Sequence, residues 1–86
     1  MKPYQEQFSV GTTVRISERP ELERFRCEWQ FQHKLEAEQL CYAGRTVRVR
    51  NVCFYHGGDV LYHLDRVPGI WHEVCLTVSN NSIRTI

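Results

Sequence analysis

The chain has 86 residues, which suits one small domain, and 42% of them are hydrophobic, enough for a packed core. A formal charge of +1 gives no general attraction to nucleic acid or to an acidic membrane. No apolar run is long enough to span a membrane, and the first residues lack the hydrophobic segment of a secretion signal, so we expect no membrane partner and a cytoplasmic location.

The N-terminal part predicts a loose tail followed by a short strand. Residues 1–7 are mostly polar and have no apolar periodicity. Residues 11–16 then alternate, with Val14 and Ile16 on one side and Arg15 on the other. Strict alternation is typical of a strand that has one buried and one exposed face. We therefore expect the first strand here.

A helical insertion is predicted over residues 20–42. Pro20 suits the first turn of a helix, where its missing N–H is not needed. Apolar side chains then repeat at helical spacing, at Leu22, Phe25 and Trp29, which predicts helix from Pro20 to about Gln32. Good helix formers continue to Tyr42, and Gly44 suits a helix C-terminus. The pattern does not distinguish one kinked helix from two short ones.

The second strand is predicted over residues 46–55. Val47 and Val49 alternate with Arg48 and Arg50, which again indicates one buried and one exposed face. After Asn51 the residues are apolar at every position. The second half is therefore either covered on both faces or contains a β-bulge that exchanges the faces.

A hairpin is predicted to follow, with Gly57 and Gly58 in its turn because glycine readily adopts the positive φ angles of tight hairpins. The return strand covers residues 60–64. Its side chains at Val60, Tyr62 and Leu64 would share one face, and those at Leu61 and His63 the other.

The C-terminal part predicts a turn, a helical turn and a last strand. Residues 65–69 include Pro68 and Gly69, which favour a turn. Residues 70–74 are too few for a full helix and predict a helical turn. The last strand is expected over residues 75–78, and residues 80–86 are predicted to be a loose tail.

Four short motifs together resemble a known family: Gly11-x-x-Val14-Arg15-Ile16, the segment 43–49, Tyr62-x-Leu64 and the closing segment 69–76. Over residues 8–78 the chain resembles SH3-like small β-barrels, in particular the SH3-like repeats of mind-bomb-type proteins and the SH3-like C-terminal domain of the nitrile hydratase β subunit. The resemblance implies a mainly β fold with a helical insertion and a partly open barrel, in which Trp71 plugs one end. It also implies a binding or scaffold module without catalytic residues, since the metal ligands of nitrile hydratases come from the other subunit.

The residues themselves predict a non-enzymatic protein without a cofactor that binds a protein partner or a second copy of itself. The aromatic residues outnumber what so small a core needs, and several could form a peptide-binding surface. The predicted binding residues are Tyr55, Tyr62, Arg48, Arg50 and Trp71. Two alternatives remain open. One is a nucleic-acid interface formed by Arg15, Arg45, Arg48 and Arg50, and the other is an accessory domain of a larger enzyme.

The four cysteines are expected to be reduced and mostly buried, because disulfides are rare in the cytosol. No thiol is marked by the sequence as an activated nucleophile. A zinc site is a further hypothesis, since two Cys/His pairs could supply four ligands: Cys53, His56, His72 and Cys75. On a regular strand, however, residues three apart point to opposite faces, so Cys53 and His56 would converge only across a bulge or turn.

Overall fold

The computed structural model describes residues 7–31, 33–54 and 60–79. The predicted turn at Gly57-Gly58, Tyr55, His56 and the two predicted tails, apart from Gln7, lie outside the described residues. In the described part of the chain, no helix combines the length and the apolar character that crossing a membrane would require.

The fold is mainly β. In chain order its elements are β1 (Thr13–Ile16), α1 (Arg19–Glu28), a first 3₁₀ helix (Ala37–Tyr42), β2 (Thr46–Phe54), β3 (Val60–Leu64), β4 (Val67–His72), a second 3₁₀ helix (Glu73–Cys75) and β5 (Leu76–Val78). The strands form one antiparallel sheet in the order β4-β3-β2-β1-β5. β4 and β5 are the two edges, so the sheet is not closed into a barrel.

The main hydrophobic cluster lies on one face of this sheet, and Leu61 is also fully buried on the opposite face of β3. Each strand contributes to this cluster, and α1 adds Leu22, which is fully buried. The members that are completely inaccessible to solvent include the expected strand residues Val14, Ile16, Tyr62, Leu64 and Trp71. The predicted alternation of the first three strands is therefore confirmed.

β2 contains the β-bulge that the sequence left as one of two possibilities. Val49 faces Leu64 and Asn51 faces His63, so two steps along β2 match one step along β3. As a result Val49 and Val52, three residues apart, both contribute to the core. The extra residue explains why the alternating pattern ends at Asn51.

The prediction of a turn over residues 65–69 was wrong beyond its first two residues. The turn is Asp65-Arg66, and β4 begins at Val67. Pro68 is tolerated in β4 because this strand is an edge, where a missing N–H costs no ladder bond. Gly69 has φ +89° and lies in an irregular stretch between two ordinary pairs with β3.

The helical insertion consists of two separate pieces. α1 ends at Glu28, earlier than predicted, and the second piece is a 3₁₀ helix. A reciprocal cap between Glu36 and Gln39 begins that helix, and Gly44, at φ +78°, follows its end as expected. Gln39 is buried and donates a hydrogen bond from Nε2 to the Ile70 carbonyl, which ties the insertion to the edge strand β4.

Candidate functional site

The outer face of β1 and β2 presents the predicted arginines. Thr13 pairs with Arg48, and Arg15 pairs with Thr46, so these four side chains share the face opposite the core. Each of them is exposed. The alternation of β2 is the local cause, because burial of Val49 turns its neighbours Arg48 and Arg50 outward.

The turn between β3 and β4 lies against this arginine face. The Asp65 N–H donates to the Arg48 carbonyl at 2.9 Å, which holds the turn beside β2. Arg66 adopts φ +62°, a left-handed conformation that glycine and asparagine adopt more readily than arginine. The chain therefore keeps a long cationic side chain at a position where a smaller residue would be less strained.

Between the turn and the two strands lies a groove of about 400 Å³. We call it the arginine groove; it is lined by Thr13, Arg45, Thr46, Val47, Arg48, Asp65, Arg66 and Val67. Three guanidinium groups and one carboxylate give it a net positive charge. Two threonines can add hydroxyl donors and acceptors. Such a lining is suited to carboxylates or other anions.

The arginines differ in whether a carboxylate of the same chain already balances their charge. The Arg15 guanidinium lies 2.5 Å from the Glu18 carboxylate, so its charge is balanced within the chain. The Arg45 guanidinium lies 5.0 Å from the centre of the Tyr42 ring, a cation–π geometry that positions the group and leaves its charge. Among the described residues, neither Arg48 nor Arg66 forms an ion pair. The arginine groove thus holds three guanidinium groups that no described ion pair balances, whereas Arg50 is exposed but does not line the groove.

Two predicted binding residues, Tyr62 and Trp71, lie in the core. Both side chains are 0% exposed and have no surface to offer a partner. The Trp71 indole N–H donates to the Pro68 carbonyl at 3.1 Å, so the ring stabilises β4 from inside. Both side chains are large and fully buried on the inward face of β3 and β4, so their role is to pack the core.

Tyr62 also holds the N-terminal segment. Its hydroxyl donates to the Glu73 carboxylate and accepts bonds from the N–H groups of Gln7 and Phe8. Gln7 is therefore fixed to the core, in contrast to the predicted loose tail. Burial and the bond to Glu73 raise the pKa of Tyr62 to about 12.

The remaining aromatic residues are divided between the core margin and the surface. Trp29 packs on Phe25 and His72, with ring centres 5.3 and 4.7 Å away, and Phe31 makes an edge contact with it at 5.1 Å. Phe31 is 72% exposed, whereas Trp29 is half-buried. These rings cover the outer face of β4 beside His72. Most of the aromatic residues that outnumber the needs of a small core therefore have a packing role.

The proposed zinc ligands are not brought together where the structure describes them. Cys53 and His72 both lie opposite Leu61, one strand to either side, which separates their backbones by about 10 Å. The His72 Nε2–H donates to the His33 carbonyl at 2.7 Å, and Cys75 belongs to the core cluster. Among the described residues no group of three or more potential ligands can hold a metal ion.

The four cysteines are free thiols, but they are not mostly buried as predicted. Cys27 and Cys41 are exposed, Cys53 is half-buried and only Cys75 is fully buried. Burial raises the pKa of Cys75 to about 12, which keeps that thiol protonated. Cys53 has a neighbour that the sequence did not suggest: its Sγ lies 3.6 Å from Nδ1 of His63.

Sequence reasoning missed Asp65 and Arg66 as groove residues and His63 as the partner of Cys53. The sequence predicts Asp65 and Arg66 as turn residues, which they are; their place beside Arg48 depends on how the turn packs. The available signal was the predicted hairpin, because its return strand brings the residues that follow Leu64 back beside the start of β2, where Arg48 lies.

Comparison with known proteins gives no match, whether with protein-family models, with curated proteins or with solved structures.

Proposed function

We propose that this chain is a non-enzymatic SH3-like binding module that acts through protein contacts, and that its arginine groove binds an extended acidic segment of a partner protein. The observation that carries the proposal is the groove itself. It gathers Arg45, Arg48 and Arg66 around a single carboxylate, Asp65, on an exposed face. Charged groups placed in this way favour a partner of opposite sign.

The strand order supports the SH3-like relationship. The first strand lies between the second and the last, and a short 3₁₀ helix directly precedes β5. The helical insertion after the first strand also agrees with what the sequence resemblance implies, although the sheet is not closed into a barrel. The function still depends on the groove, because one fold can serve many tasks.

The charges favour an acidic peptide over nucleic acid. Binding of a nucleic acid strand requires several cations that neutralise successive phosphates. Here Arg15 is already paired with Glu18 and Arg50 does not line the groove, so only Arg45 and Arg48 of the four predicted nucleic-acid contacts are available in it. An acidic peptide needs fewer carboxylate contacts, and its backbone can use the hydroxyls of Thr13 and Thr46.

The test is a fluorescence-anisotropy titration with a labelled peptide in which glutamate alternates with small residues. A neutral peptide and a single-stranded RNA of matched length serve as comparisons. We expect the acidic peptide to bind most tightly, and its affinity to fall as salt rises from 50 to 300 mM because exposed charges are screened. Tighter binding of RNA would support the nucleic-acid alternative and contradict the proposal.

Three variants locate the site. Arg48→Glu should weaken peptide binding about tenfold, which corresponds to about 1.4 kcal/mol. Arg66→Asn should also weaken it, yet leave the free energy of unfolding unchanged or raised, since asparagine tolerates a left-handed φ better. Arg24→Glu, an exposed change on α1 outside the groove, is the charge-matched control and should have little effect. Equal losses in Arg48→Glu and Arg24→Glu would show a general charge effect instead of a site.

A further inference from the structure

Cys53 lies beside a histidine on the outer face of the hairpin formed by β2 and β3. Its Sγ is 3.6 Å from Nδ1 of His63, and the Asn51 side-chain amide donates to the same sulfur at 3.8 Å. The bulge in β2 produces this arrangement. Beyond it Asn51 pairs with His63 and Cys53 with Leu61, so the three polar side chains share one face.

We propose that Cys53 is a modification site, a thiol that exchanges with low-molecular-weight disulfides of the glutathione type with His63 as its base. This inference is independent of the arginine groove, because neither residue lines it. Cys53 and His63 are both half-buried, so a small disulfide has partial access to the sulfur. Reactive thiols are found in such partly exposed surroundings next to a base or a positive charge.

The exchange proceeds in balanced steps. Nδ1 of His63 accepts the thiol proton, and the Asn51 N–H stabilises the thiolate that forms. The thiolate then attacks one sulfur of the small disulfide, whose S–S bond breaks as the new mixed S–S bond forms. The departing thiolate takes up the proton from the imidazolium. The Cys53 sulfur is thereby oxidised, and the departing sulfur is reduced.

The other three cysteines provide internal references. Cys27 and Cys41 are more exposed than Cys53, and neither has an imidazole nitrogen within hydrogen-bonding distance in the described residues. Exposure alone would therefore make Cys27 and Cys41 react first. Cys75 is 2% exposed and reports whether the fold is intact, because it reacts only when the core opens. Activation by His63 predicts the opposite order to exposure.

The experiment measures the alkylation rate of each cysteine in the folded 86-residue chain. The protein is treated with iodoacetamide at pH 7, and modification of each site over time is quantified by peptide mass spectrometry. We expect Cys53 to react about tenfold faster than Cys27 and Cys41, because only a few per cent of an unassisted thiol is ionised at this pH. Oxidised glutathione should likewise add its mixed disulfide to Cys53 first.

His63→Gln is the decisive variant. It should bring the Cys53 rate to that of Cys27 or below, with the Cys27 and Cys41 rates unchanged and Cys75 still protected. A Cys53 that reacts no faster than Cys27 in the unmodified protein would overturn the proposal, as would a rate unaffected by His63→Gln. The order of rates in the unmodified protein decides the matter even if the variant unfolds, which labelling of Cys75 would reveal.

Discussion

Replacement of Gly69 by alanine tests how the insertion is attached to the sheet. Gly69 has φ +89°, and a Cβ there would lie 2.8 Å from Nε2 and 2.9 Å from Cδ of Gln39. Gln39 would have to move away from its bonds to the Glu36 N–H at 2.7 Å and the Ile70 carbonyl at 3.2 Å. The variant therefore combines backbone strain with the loss of two hydrogen bonds.

The magnitude follows from these two contributions. A left-handed conformation costs a non-glycine residue about 1–2 kcal/mol, of which about 0.4–1 kcal/mol is offset by the lower entropy of the unfolded chain. Each lost hydrogen bond adds about 1 kcal/mol. We expect Gly69→Ala to lower the free energy of unfolding by about 2–4 kcal/mol, a large part of the stability of a domain of this size.

Gly11 is the matched control. Its φ is +92°, close to that of Gly69, but a Cβ there meets nothing within 4 Å. Gly11→Ala should therefore show the backbone contribution alone, below about 1.5 kcal/mol. Urea unfolding followed by tryptophan fluorescence measures both variants.

A double-mutant cycle separates the clash from the strain. In a Gln39→Ala background, Gly69→Ala should cost no more than Gly11→Ala, because the side chain that it meets is gone. If Gly69→Ala and Gly11→Ala cost the same, or if Gln39→Ala leaves the cost of Gly69→Ala unchanged, the proposed contact between Gln39 and β4 is wrong.

Further predictions concern the core and its titratable groups. Because the folded-state pKa values of Tyr62 and Cys75 are raised to about 12, the stability that depends on their protonated forms is complete below about pH 9. It should be lost as pH rises towards 12. Urea unfolding across this range should show that decline, and Tyr62→Phe should reduce its slope above pH 10; a flat profile from pH 8 to 11 would contradict the assignment. Trp71→Phe should cost about 1–3 kcal/mol through the unpaired Pro68 carbonyl and the space left in the core. Phe31→Ala, at a side chain that is 72% exposed, should change the free energy of unfolding by less than about 0.5 kcal/mol, and similar costs for the two variants would show that burial has been misassigned.

The strands with simple alternation could be predicted from the sequence because burial on one face leaves a period of two. β4 could not, since Pro68 and Gly69 interrupt its pattern and its strand character depends on pairing with β3. The early end of α1 was missed for a related reason. Trp29 packs on His72, a residue 43 positions later in the chain, and that contact has no local signal.

The two sites depend on register, which the sequence indicates only in part. A two-residue turn at Gly57-Gly58 would place Cys53 opposite Tyr62, on the core face. The observed register pairs Phe54 with Val60 and Cys53 with Leu61, which places the thiol on the outer face beside His63. A shift of one residue thus decides whether Cys53 is a core side chain or a half-buried thiol on the outer face.

The most direct test of the arginine groove is an NMR titration of the ¹⁵N-labelled chain with the acidic peptide. We expect amide shifts to concentrate at Thr13, Thr46 and Arg66, with little change at Cys41 or Val74. Shifts centred on Phe31 and Val74, or no shifts at peptide concentrations that saturate the anisotropy signal, would contradict binding in the groove.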